Sequence, residues 1–96
     1  MDASAHETRL KRLKFRAWHR GFVEADLILG PFVDRHGAEL TPAQLDELEA
    51  LLEESDQDIY AWIIGRQPLP EAFDTDVMQL LKAFRFSAHA ARREDH

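Results

Sequence analysis

"FVEADLILGPFVDRHG", residues 22–37, decides the fold. Its centre, "LILGPFV", has the length and apolar density of a short buried strand. Around it, Val23, Leu27 and Ile28 fall at helical spacing. Gly30-Pro31 would then kink or end a helix, because proline lacks an N–H donor and crowds the preceding turn. A strand needs a partner, and no second strand signal exists in the 96 residues. The stretch therefore reads as a helix from about Phe22, kinked near Pro31 and closed by Gly37 as a C′ glycine.

The segments on either side agree with a helical reading. Upstream, from about Glu7 to Trp18, Leu10, Leu13 and Ala17 recur at helical spacing, with Phe15 and Trp18 alongside and basic residues between. Downstream, "LTPAQLDELEALLEE" starts with a full set of helix-entry signals: Thr41 as N-cap, Pro42 at N1 and Gln44 at N3 to complete a capping box. Leu40 and Leu45 take the hydrophobic-staple positions, and Leu45, Leu48, Leu51 and Leu52 form one apolar stripe. Ser55 and Asp58 cap a short helix, "DQDIYAWIIG", which Gly65 closes. "RQPLPEAF" is a proline-punctuated connection. A last helix follows from about Asp74, with Val77, Leu80, Leu81 and Phe84 on one face. The expectation is an all-α fold: one domain over residues 1–96, a compact bundle of about five helices with loose tails at about 1–6 and 89–96.

Composition narrows the class. The chain is 45% hydrophobic and 31% charged, which suits a packed globular protein and is too apolar for disorder. It has no cysteine, which removes disulfides and thiolate metal sites and fits a reducing compartment. No apolar run approaches the ~20 residues of a membrane span. "MDASAHETRL" has neither the apolar core of a signal peptide nor the acid-poor character of a transit peptide, so a bacterial cytoplasmic location is expected over the mitochondrial matrix. The net charge of −6 is unevenly placed: residues 9–20 hold six cations and no acid, and residues 46–58 hold seven acids and no cation. That layout suits docking onto a charged protein surface, and equally suits two solvated helix faces.

Enzyme signatures are missing from the sequence. It has no G-x-G-x-x-G and no P-loop, hence no nucleotide-binding fold of its own. Ser4, Ser55 and Ser87 are poorly placed for a triad, two near termini and one an apparent cap. The histidines (His6, His19, His36, His89 and His96) are scattered without metal-ligand spacing, and the acids of 46–58 lack a calcium-loop pattern. No catalytic residue, resident cofactor or metal site is expected. The basic first helix interleaves cations with Phe15 and Trp18, as a nucleic-acid or membrane-surface helix does. Those aromatics sit among core positions in an acidic domain, so neither partner is expected.

One feature asks for a function. Arg20-Gly21-x-x-Glu24 places a glycine where a helix starts or bends, at a cost of about 1 kcal/mol relative to alanine inside a helix. Arg20 and Glu24 would share a helix face, but an i, i+4 pair with Arg first is weak and leaves Gly21 unexplained. A residue without Cβ allows close backbone approach or a turn that other residues resist. Flanked by Arg20 and Glu24, it would form a small flat patch suited to docking.

The context of this motif resembles the SdhE family, whose mitochondrial members are called succinate dehydrogenase assembly factor 2. The matching elements are Arg20-Gly21-x-x-Glu24, "DLILGPF" at 26–32, "LLEESDQDIYAWIIG" with Asp56 and Asp58 before Tyr60 and Trp62, and the P-L-P of Pro68 to Pro70. They run in the family's order and spacing from about Leu10 to Phe84, with His19 standing where many relatives carry arginine. The resemblance implies a five-helix factor, not itself an enzyme, that assists covalent attachment of FAD to the flavoprotein subunit of succinate dehydrogenase, and of fumarate reductase where present. It implies that the bond forms on a histidine of the partner, and that Arg20, Gly21 and Glu24 contact the flavoprotein. FAD would be handled on the partner and the factor would be monomeric when free. A mechanism consistent with this is selection of a flavinylation-competent partner conformation. Charge alone suggests that Arg12 and Arg16 widen the contact. Two alternatives stand beside it: an FAD carrier, and an antitoxin-like or nucleic-acid-binding regulatory module. Tyr60 and Trp62, beside Ile59 and Ile63, read as core residues rather than partner contacts.

Overall fold

The computed structural model describes residues 3–94, with side chains described over 5–85. It contains α1 (Ala3–Trp18), α2 (Val23–His36), α3 (Pro42–Leu52), α4 (Asp56–Ile63) and α5 (Asp76–Glu94). Short 3-10 turns at Gly37–Glu39 and Glu71–Phe73 lie in the connections before α3 and α5. No strand occurs among the described residues, so "LILGPFV" is helical and the fold is all-α, as expected. Most of the two stretches expected as loose tails is helical, since α1 begins at Ala3 and α5 continues to Glu94; residues 1–2 and 95–96 lie outside the described residues.

Helices α1 and α2 form an antiparallel hairpin whose closeness depends on two glycines. A Cβ on Gly30 would overlap the Trp18 indole, and one on Gly37 would lie 2.6 Å from Leu10 Cδ1. Trp18 and Leu10 stand two turns apart on α1, and their glycine partners stand in reverse order along α2. Pro31 remains inside α2, one residue after the glycine. The expected role of Gly37 needs correction. It is not a left-handed C′ residue but has φ −55°, and it leads directly into the 3-10 turn. Its small size, not its conformational freedom, is what the packing against Leu10 uses.

Helix α3 is entered as its sequence dictates. The Thr41 side chain accepts the Gln44 N–H at 3.1 Å while the Gln44 side chain accepts the Thr41 N–H at 3.0 Å. Leu40 and Leu45 are both buried, and the stripe Leu45, Leu48, Leu51 and Leu52 faces the core. Helix α4 starts with the Ser55 side chain accepting the Asp58 N–H (3.2 Å). It ends in a Schellman turn: the Gly65 N–H bonds Trp62 O, the Arg66 N–H bonds Ala61 O, and Gly65 has φ +78°. Trp62 is buried and stacks on Phe73 with ring centroids 5.1 Å apart, in agreement with its reading as core. The apolar face of α5 departs from expectation. Met78 is buried beside Val77 and Leu81, while Leu80 points outward. The α5 start is also later than expected, with Thr75 accepting the Met78 N–H and Glu47 of α3 accepting the Val77 N–H.

The charge asymmetry brings two solvent-exposed helix faces together. Basic α1 lies along acidic α3, and part of its charge is paired there with carboxylates that stay in contact with solvent. Arg9 pairs with Asp46 and approaches Glu49 at 3.6 Å, and Arg16 pairs with Glu53 at 3.0 Å. Arg20 follows with Asp56. Partners advance in the same direction on both sides, so α1 and α3 run parallel.

Candidate docking site at the Arg20–Gly21 corner

Trp18 closes α1 and Val23 opens α2, so Arg20 and Gly21 occupy the corner between them, with Glu24 in the first turn of α2. The expected shared helix face of Arg20 and Glu24 is therefore not formed. Gly21 has φ +84°, a left-handed conformation that breaks the helix, and a Cβ there would meet nothing within 4 Å. Of the two roles considered for this glycine, the turn is the one it performs within the chain. The open space above it is available from outside.

The Arg20 guanidinium turns inward. Its side chain is only 9% exposed; Nε donates to Asp56 Oδ1 and Nη2 donates to the Glu54 carbonyl at 2.8 Å. Its main-chain N–H donates to Asp26 Oδ1 at 3.2 Å. A second contact ties the same corner to α4, where Phe22 packs against half-buried Tyr60 with centroids 5.7 Å apart. The α1–α2 corner is thus fastened to the start of α4 by one charge-assisted and one aromatic contact. Asp26 and Asp56 were not expected in this role. Their acidic character was visible in the sequence, but nothing there told which cation each would meet.

What faces solvent at the corner is Gly21, Val23, Glu24 and Leu27. Glu24 makes no ion pair among the described residues. Val23 is 66% and Leu27 58% exposed, and four residues apart on α2 they share a face beside Glu24. Large exposed apolar residues occurring singly are ordinary, but two on one face next to an unpaired carboxylate make a surface of docking character. Further back on α1, Arg12 is exposed without an ion pair among the described residues, while Arg16 is held by Glu53.

An open groove beside the corner is lined by Phe15, Arg16, His19, Arg20, Glu54, Ser55 and Asp56. Phe15 stacks on His19 at its rim, with centroids 4.1 Å apart. Both arginines of this groove are engaged by carboxylates, Arg20 by Asp56 of the groove wall and Arg16 by Glu53, and Glu54 is a further acid in the lining. A diphosphate entering it would have to displace those carboxylates from both arginines. Among the described residues no group of three or more His, Asp or Glu is placed to hold a metal ion. No helix among them is long and apolar enough to cross a membrane.

Comparison with known proteins adds to this geometry. Residues 11–85 match the Sdh5 family model, described as flavinator of succinate dehydrogenase. The chain is 41% identical over 71 residues to the FAD assembly factor SdhE of Acetobacter pasteurianus, covering 74% of this chain and 65% of that protein. It is 36% identical over 81 residues to the mitochondrial succinate dehydrogenase assembly factor 2 of Dictyostelium discoideum, covering 84% of this chain and 57% of that protein. Identity to the mitochondrial succinate dehydrogenase assembly factor 2-B of Drosophila melanogaster is 38% over 78 residues, covering 79% of this chain and 50% of that protein. The chain thus spans less than two thirds of the length of each of these relatives.

Proposed function

The chain belongs to the Sdh5 family, whose model is described as flavinator of succinate dehydrogenase, and from that premise we propose that it is an assembly factor for flavinylation. It binds the flavoprotein subunit of succinate dehydrogenase, and of fumarate reductase where present, and promotes covalent attachment of FAD. The observation that carries this reading is the open corner of Gly21 and Glu24, within the stretch shared with the family and fastened to α4 from behind. The covalent bond forms on a histidine of the partner, and this chain contributes no reacting group. Its contribution is binding energy: by binding one arrangement of the flavoprotein more tightly than the others, it raises the population in which histidine and flavin are aligned.

Gly21 lets the partner's surface come down onto the corner, Glu24 offers an unpaired carboxylate to a donor, and Val23 and Leu27 supply the apolar contact. Arg12 and Arg16, two turns and one turn back from the corner, widen this contact. Arg16 can exchange Glu53 for a partner acid at little cost, since such exposed pairs are worth about 0–1 kcal/mol. FAD stays on the flavoprotein throughout, and the neutralised arginines of the groove support that reading over an FAD carrier. The α1–α3 pairs likewise occupy Arg9 and Arg16, which weighs against a nucleic-acid stripe along α1. We place the factor in the bacterial cytoplasm as a monomer.

The test is covalent flavin fluorescence in the denatured flavoprotein, produced in cells lacking this gene and then complemented. Fluorescence that is lost without the gene and restored by it is the expected result. Full flavinylation in its absence would remove the assembly-factor reading.

A further inference from the structure

We propose that Asp56 and Asp26 are positioning residues for flavinylation, acting through Arg20, and that the Arg20 guanidinium is a strut behind the docking surface and not a contact on it. The proposal rests on the assembly-factor reading above and assigns roles within it.

Arg20 is the most enclosed of the three arginines that form ion pairs among the described residues, with 9% of its side chain exposed. Its fork is filled from two directions, by the Asp56 carboxylate and the Glu54 carbonyl at 2.8 Å, both at the junction of α3 and α4. Meanwhile its backbone N–H is taken by Asp26, one turn into α2. Arg20 is bonded on its side chain to α4 and on its main chain to α2, while the next residue, Gly21, is the one with an open outer surface. A glycine at φ +84° has little to hold its own orientation, because no side chain anchors it. The two aspartates supply the anchorage one residue earlier. A docking surface held in its bound geometry spends less of its binding energy on ordering the corner, so loss of the strut weakens binding without touching a contact.

The sign of one substitution separates strut from contact. Asp56→Asn removes the carboxylate and leaves the Arg20 charge free to turn outward. If Arg20 met the flavoprotein directly, this variant would dock as well as wild type or better. If Arg20 is a strut, docking weakens. Arg20→Lys keeps the charge but loses the fork that spans Asp56 and the Glu54 carbonyl.

The experiment titrates the full chain into unflavinylated succinate dehydrogenase flavoprotein with FAD and a dicarboxylate. Covalent flavin fluorescence gives both the half-saturating factor concentration and the plateau rate. Circular dichroism at the assay temperature establishes that each variant is folded. Asp56→Asn and Arg20→Lys are each expected to raise the half-saturating concentration about tenfold, leaving the plateau rate unchanged. The double variant is expected to be no worse than the weaker single, because both remove one unit. A merely destabilised fold would lower the active fraction equally for every partner concentration and would leave Gly21 unmoved in the folded fraction. The Gly21 amide resonance is therefore followed, and it is expected to shift in both variants. Should Asp56→Asn not fold, Asp26→Ala carries the test, with the same rise in half-saturating concentration expected. Wild-type titration by the folded Asp56→Asn variant, or by Asp26→Ala in its place, overturns the proposal. Multiplicative losses in the double variant overturn it too. Failure of the wild-type chain to stimulate flavinylation would instead overturn the assembly-factor reading.

Discussion

Trp18 occupies the space that a side chain at Gly30 would need, and its indole Nε1 donates to Asp34, one turn further along α2, at 3.1 Å. Lys14 reaches the same carboxylate at 3.4 Å. One indole thus fixes both the separation and the register of the α1–α2 hairpin. The corner bearing Gly21 is the end of that hairpin, so its placement depends on this contact.

Gly30→Ala should therefore destabilise the fold even though alanine is the better helix former. The propensity gain is at most about 1 kcal/mol, whereas overpacking a closed contact costs about 1–3 kcal/mol. Displacing the ring also loosens its hydrogen bond to Asp34. Chemical denaturation should show a net loss of about 1–2 kcal/mol with an unchanged slope. Equal or higher stability would mean that the ring moves aside freely.

Local entry signals were legible in the sequence because their chemistry is short-range. Thr41 with Gln44, Ser55 with Asp58, and Gly65 act within a turn of where they stand, and each forms the bonds expected of it. The Arg-Gly motif itself was legible as an anomaly needing a role. What depended on distant partners was not. Gly37 looked like a helix terminator because nothing in the sequence places Leu10 against it. Arg20 looked like a surface donor because Asp56 lies thirty-six residues away, and the basic and acidic runs looked independent for the same reason. Met78 and Leu80 differ by a small rotation about α5, finer than a spacing rule can resolve.

The parallel ladder between α1 and α3 should contribute unequally along its length. Arg9 and Arg16 meet carboxylates that are 49–73% exposed, so Arg9→Gln and Arg16→Gln should each cost about 0.2–1 kcal/mol. Most of that should vanish near 1 M salt, where the Debye length is about 3 Å. Arg20→Gln should cost about 1.5–3 kcal/mol and retain most of it in salt, since its bonds are enclosed. Urea unfolding at two ionic strengths checks this, and a uniform salt response across the three variants would contradict it.

Gly21 and Gly65 form a matched pair for separating fold from function. Both hold a positive φ, and both have open space where a Cβ would stand. Alanine at either should cost about 1–2 kcal/mol of backbone strain. Gly65→Ala should leave flavinylation of the flavoprotein unchanged once folding is confirmed. Gly21→Arg, with a similar strain and a bulky group on the docking face, should abolish it. Equal flavinylation by the two variants would place the docking surface elsewhere.

The apolar contribution of α2 can be isolated because Val23 and Leu27 lie outside the core cluster. Each is more than half exposed, so the double variant Val23→Ser/Leu27→Ser should change stability by no more than about 0.5 kcal/mol. Burying such side chains against a partner is worth about 1.5–3 kcal/mol each, of which ordering costs leave a part. The half-saturating concentration in the flavinylation titration should rise by about tenfold or more. A thermal melt alongside the titration shows that the loss lies in docking. An unchanged titration would remove the apolar part of the contact and leave it to Gly21, Glu24 and the arginines of α1.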